Sequence, residues 1–106
     1  RHKMIRICAQ FHNGLIQDLS VSGHSGSAEH GQDLICAGIS AISFGLCNAL
    51  DQSGSDADIR IGENSIEIHV NHPDEKTDII LQTGLIQMKT VEESNEKYIT
   101  VKQMEV

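Results

Sequence analysis

Cys36 and His24 are the residues of this 106-residue sequence whose types and spacing could make a nucleophile and its base. A neutral imidazole within hydrogen-bond reach of a thiol can take its proton. The imidazolium so formed can later give that proton to a departing amine. His24 stands twelve positions before Cys36, with Gly23 and Gly26 on either side of it, so a short flexible segment could bring the two together. A helix is expected to begin near Gly31-Gln32-Asp33, which puts Cys36 in its first turn. Unpaired backbone N–H groups and the positive end of the helix dipole favour a thiolate there. The same amides could also donate to an oxyanion, a contribution worth roughly 3 to 4 kcal/mol per donor in acyl transfer. Asp33 reads first as the N-cap of that helix, a position for which Asp is selected on structural grounds; orienting His24 is its other reading.

Each of these residues also has a plainer use. A single cysteine on an apolar helix commonly serves as a small buried hydrophobe, which applies to Cys36 and more strongly to Cys8, on a strand, and Cys47, deep in a helix. His30, His69 and His72 read as surface residues. A metal site from His24, His30 and Cys36 has no recognised ligand spacing, so no metal is expected. The glycine-rich run GSAEHGQD before the helix invites a phosphate-binding reading. It lacks the Lys and Ser/Thr of a phosphate loop, however, and places Glu29 and Asp33 where an anion would approach.

The elements that must position these residues follow from hydrophobic periodicity. Ile5, Ile7, Ala9 and Phe11 alternate with polar partners, the Asn13-Gly14 dipeptide follows, and Leu15, Gln17, Leu19 and Val21 alternate in turn. This predicts a β-hairpin closed by a type I′ turn. Gly23 to Gly31 has no periodicity and is expected to be a mobile loop. From Asp33 to about Asp51 the spacing becomes helical, with Ile35, Ile39, Ile42, Leu46 and Ala49 on one side and the small residues Cys36, Ser40, Ser43 and Cys47 beside them. Because most of its circumference is uncharged, this helix is expected to be central and largely buried. Ile59 and Ile61, then Ile66, Ile68 and Val70, predict a second hairpin around Gly62-Glu63-Asn64. His72-Pro73-Asp74 opens a helix to Ser94, and Tyr98 to Lys102 a last strand. The order ββαββαβ predicts an α+β fold: a two-layer sandwich in which two helices cover one face of a largely antiparallel sheet of about five strands.

Composition bounds the rest. With 39% hydrophobic and 22% charged residues the chain is expected to form a single soluble domain over 4–106, while Arg1-His2-Lys3 before Met4 reads as a tag remnant. No apolar run approaches the roughly 20 residues of a membrane span, no secretory leader is evident, and a cytoplasmic location is expected. A net charge of −7 and only Tyr98, Phe11 and Phe44 as aromatics argue against nucleic-acid binding. Three cysteines without Cys-x-x-Cys spacing indicate neither a disulfide framework nor a structural zinc site.

The segment Ser22 to Ala49, SGHSGSAEHGQDLICAGISAISFGLCNA, resembles the ribosomal-processing cysteine protease family known as Prp. The family motif is Gly-His, a short loop, then Gly-x-Asp, an apolar pair and Cys-Ala. Gly23-His24 and Gly31-Gln32-Asp33-Leu34-Ile35-Cys36-Ala37 match it in order, Ser40 falls where the family often has a small hydroxyl residue, and LQTGLIQMKTVEESNEKYITVK is similar to its closing helix and strand. The resemblance implies a homodimeric two-layer α+β enzyme without cofactor. Its substrate would be a large-subunit ribosomal protein, the twenty-seventh by its usual numbering, from which it removes a basic N-terminal extension ending in an apolar, phenylalanine-containing stretch. It also implies Cys36 as nucleophile, His24 as base and then acid, Asp33, Gly23, Gly31 and Ser40 in support, and closure of the Gly23 to Gly31 loop over the peptide. The alternative is a non-catalytic ribosome-associated module that binds the same peptide and leaves it intact; a phosphate-ligand binder is a third reading.

Overall fold

Ile5, Ile7 and Ala9 turn one way and Arg6, Cys8 and Gln10 the other, and in the computed structural model they lie on β1 (Ile5–His12). The structure describes residues 4–23 and 30–106, with the backbone alone for 30–33. The tag assignment of Arg1 to Lys3 and most of the expected loop lie outside the described residues. Asn13 and Gly14 both take positive φ, 53° and 80°, and return the chain into β2 (Leu15–Ser22), as the hairpin reading requires. After α1 (His30–Gln52) come β3 (Ala57–Ile61), β4 (Ser65–Val70), α2 (Glu75–Glu93) and β5 (Ile99–Glu105). The five strands form one sheet in the order β3-β4-β2-β1-β5; every pairing is antiparallel except β1 with β5. This is the α+β arrangement ββαββαβ.

The core lies between the sheet and the helices. Ile7, Leu19, Ile66 and Ile99 from the strands meet Ile39, Leu50, Leu81 and Met88, all essentially inaccessible to solvent. Each such side chain stabilises the fold by about 1.5–3 kcal/mol relative to exposure. An added Cβ at Gly84 would lie 2.5 Å from a Leu46 methyl carbon, so a glycine is what lets α2 lie this close to α1. Asp74 caps α2 by accepting from the Thr77 amide at 2.8 Å, and that bond holds its carboxyl below the usual aspartate range. The cap therefore contributes stability above the ordinary aspartate pKa of about 3.9 and loses it as pH falls through the lowered value.

Three expectations need correction. Leu19 and Val21 are buried on β2, but before them Ile16 faces inward in place of Leu15 and Gln17, because the register of β1 and β2 shifts between Gln10 and Phe11 and that bulge reverses the alternation there. The Ile16 amide donates to Asp78 Oδ1 on α2 at 2.8 Å instead of to a strand. Next, α1 begins at His30, so Asp33 lies inside the helix and cannot be its N-cap, and Cys36 falls in the second turn rather than the first. Last, α1 is not buried all round: Leu34, Ala41, Phe44 and Gly45 are exposed on its outer side. Glycine, alanine and serine keep this helix uncharged without making it a core helix. The stretch Leu34–Gln52 is also long and apolar enough to cross a membrane by length and composition alone, although no continuous run of large apolar residues marks it.

Candidate active site

Gly23 ends β2 at a place only glycine fits. Its φ is +90°, its amide donates to the Asn64 carbonyl at 3.0 Å, and an added Cβ would run into the backbone carbonyl oxygen of Met4. The chain leaving β2 is thus pinned between the start of β1 and the turn before β4. Gly23→Ala would strain the left-handed backbone and push against main chain that cannot swing aside. A loss of about 1–3 kcal/mol is expected, read as a fall of roughly 5–15 °C in Tm by differential scanning calorimetry. His24, the next residue, lies outside the described residues, as does the rest of the loop through Glu29.

Cys36 follows on α1, half-buried and packed against the core, between buried Ile35 and Ile39 in sequence and one turn before Ser40. The free amides at this helix end belong to residues 30 to 33, one turn nearer the N-terminus than the sulfur's own residue. A helical Cα–Cβ bond leans toward the helix N-terminus, so the thiol is directed back over that turn. The dipole acts on it less than in a first-turn position, since the effect fades within one turn. Gly31 and Asp33 share this end of α1, and Ser40, half-buried, continues the Cys36 stripe. The structure therefore places Cys36, Ser40 and the backbone of Gly31 and Asp33 on one helix, and Gly23 at the strand end that leads toward it. Sequence reasoning had no local signal for Met4, whose carbonyl packs against Gly23, because that contact joins chain segments far apart in sequence.

The other thiols sit in different surroundings. Cys8 lies on the helix-free face of the sheet, in a concavity of about 530 Å³ shared with Asp18, Arg60, Glu67 and His69. Cys47 is buried, and burial pushes its thiol up. None of the three is in a disulfide. Among the described residues no group of three His, Cys, Asp or Glu side chains is placed to hold a metal ion. Timed alkylation with iodoacetamide, mapped by peptide mass spectrometry, is expected to modify Cys36 first. Cys47 should react at least about tenfold more slowly, because less of it is thiolate and little of it is reachable.

Comparison with known proteins bears on what such a cysteine does. The family model described as cysteine protease Prp matches residues 4–100. A ribosomal processing cysteine protease Prp from Staphylococcus aureus is 37% identical over 84 residues, covering 76% of this chain and 79% of that protein. The crystal structure of the Staphylococcus aureus protease with a substrate peptide superposes with a TM-score of 0.88 at 28% identity, covering 94% of this chain and 99% of that one. That of the same protease with a covalently linked product peptide gives 0.83 at 30% identity, with the same coverage.

Proposed function

The chain belongs to the Prp family of cysteine proteases, and from that premise we propose that it removes the N-terminal extension of a large-subunit ribosomal protein, the twenty-seventh by its usual numbering, during ribosome maturation. One observation carries this reading. The family match runs through residues 4–100 and includes Gly23-His24 and Gly31 to Ala37, the segments that carry the histidine and the cysteine of this reading.

In the proposed reaction His24 takes the Cys36 proton and the sulfur attacks the carbonyl carbon of the scissile bond. The C–N bond breaks as the imidazolium protonates the leaving amine, which leaves the N-terminal fragment on Cys36 as a thioester. Water, giving a proton to the imidazole, then attacks the thioester; the C–S bond breaks, the imidazolium returns that proton to the sulfur, and the fragment leaves as a carboxylic acid that loses its proton to solvent. Gly31 and Asp33 supply backbone at the end of α1 where an oxyanion can be met, Gly23 fixes the chain entering His24, and Ser40 lines the turn behind the sulfur. No cofactor or metal takes part. The Staphylococcus aureus protease carrying a covalently linked product peptide supports a covalent route. The enzyme is proposed to act as a homodimer in the cytoplasm, on a peptide and not on nucleic acid.

Incubation with a synthetic peptide that spans the extension and the start of the mature ribosomal protein tests this reading. Two product masses are expected, and none from a scrambled peptide. A peptide that binds and stays whole would instead make the chain a binding module.

A further inference from the structure

The two edges of the sheet, β5 and β3, are finished differently. On β5 the Val101 amide points away from the sheet and is already bonded to Glu92 Oε2 at 2.8 Å, so the protein itself partly closes this edge. On β3 the ladder to β4 is flanked by the Asn71 amide donating to the Asp56 carbonyl at 2.9 Å and the Gly62 amide donating to the Ser65 carbonyl at 2.8 Å. Antiparallel pairing alternates, so Asp58 and Arg60 direct their backbone groups to β4 while Ile59 and Ile61 turn theirs outward. Among the described residues no strand takes them up. Open edges are commonly blunted by proline, lysine or a bulge, and β3, reading ADIRI in an unbroken register, has none of these. Ile61, whose side chain is on the helix side of the sheet, is instead 59% exposed.

This open edge runs beside Cys36. The second helix, α2, lies over β2 and β5 and meets α1 along Ile42, Leu46 and Ala49. At about 100° per residue Cys36 and Ser40 fall on the opposite flank of α1, the one that looks toward β3. Height agrees. The Ser55 amide donates to the Leu50 carbonyl at 3.0 Å, which ties the end of α1 to the entry of β3. Extended chain from Ser55 to Ile61 rises about 20 Å, as a helix does from Leu50 back to Ala37, so Ile61 comes level with Cys36. We propose that the substrate peptide binds as an added strand on β3, its backbone paired with the outward N–H and C=O groups of Ile59 and Ile61, one side chain seated on Ile61, and the scissile carbonyl thereby carried to the Cys36 sulfur. The proposal rests on the protease reading above and adds the main-chain site that holds the peptide. A peptide must lie extended across the nucleophile to be attacked, and an open edge holds it so through groups that every sequence has, leaving side-chain choice to Ile61. Two outward residues offer few backbone bonds, each of modest net strength, which suits a peptide that must leave after the cut.

A backbone N-methyl scan of the extended peptide tests this, with one amide methylated at a time away from the scissile bond and kcat and KM read from time courses by mass spectrometry. Paired amides alternate along a strand. Methylation is therefore expected to raise KM at least about tenfold at two amides that stand two residues apart, and to leave KM within about twofold at the amide between them. Ile61→Pro removes one outward N–H and no ladder bond to β4, so it is expected to raise KM by a similar factor with far-ultraviolet circular dichroism unchanged. The scan uses the wild-type chain and decides the matter even if that variant fails to fold. A peptide that is cut, with no alternation in its scan, overturns the edge and leaves the protease standing. A peptide that is cut in none of its forms overturns both. A rate per enzyme that falls as enzyme concentration rises gives the edge to β3 of a second copy, and overturns the proposal as well.

Discussion

Cys36→Ala is expected to lower kcat/KM for the extended peptide by about 10⁴-fold or more while leaving the fold intact. In the proposed mechanism every later step passes through the thioester, so removal of the sulfur leaves only peptide binding and whatever the helix-end amides contribute. Alanine is a good helix former and smaller than cysteine by one atom, and the site is half-buried, so Tm should move by no more than a few degrees. A stable, inactive variant that still binds the peptide is the expected pattern. Cys36→Ser separates nucleophile from shape. Its hydroxyl fits the same space, but an unactivated alcohol is a far weaker nucleophile near neutral pH, so activity should stay close to that of the alanine variant. Rates from quenched time courses and melts of the same samples check both points.

His24→Ala is expected to cost about 10²–10⁴-fold and, more tellingly, to change the pH profile. In the proposed mechanism kcat/KM depends on both the imidazole and the thiol. Without the imidazole, thiolate must form by direct ionisation, so the residual rate should climb with pH toward an ordinary cysteine pKa of about 8.5. A base also serves as the acid that protonates the leaving amine, and the alanine variant lacks that step as well. Activity matching the wild type across pH would assign the base to another residue.

Much of the fold was legible because its signals are local. Asn13-Gly14 announces positive φ at two successive residues, and Pro73-Asp74 announces a capped helix start. Alternation in β1 and β4 reads directly as one inward face. What failed was non-local. The bulge that turns Ile16 inward is stabilised by Asp78, 62 residues later, and nothing in the run from Leu15 to Val21 signals it. The start of α1 was expected near Gly31 to Asp33, with Asp33 as its cap, because the glycine-rich run before it has no periodicity, whereas the helix already runs from His30. The uncharged circumference of α1 was read as burial within one chain, and the structure leaves its outer half uncovered. At the site, residue types and order suggest Cys36 and His24, of which the structure describes only Cys36, and the need for glycine at position 23 depends on Met4, a neighbour no local pattern reveals.

The central claim, that the Cys36 sulfur attacks the peptide, is tested most directly by trapping the covalent intermediate. The wild-type chain is mixed with the extended peptide, quenched in acid within the first turnovers, digested and read by mass spectrometry. The account predicts that the N-terminal fragment of the substrate appears as an adduct on the peptide containing Cys36, and that Cys36→Ala yields neither adduct nor cut product. Cut product formed by Cys36→Ala, or an adduct on Cys8 or Cys47 in place of Cys36, would contradict it.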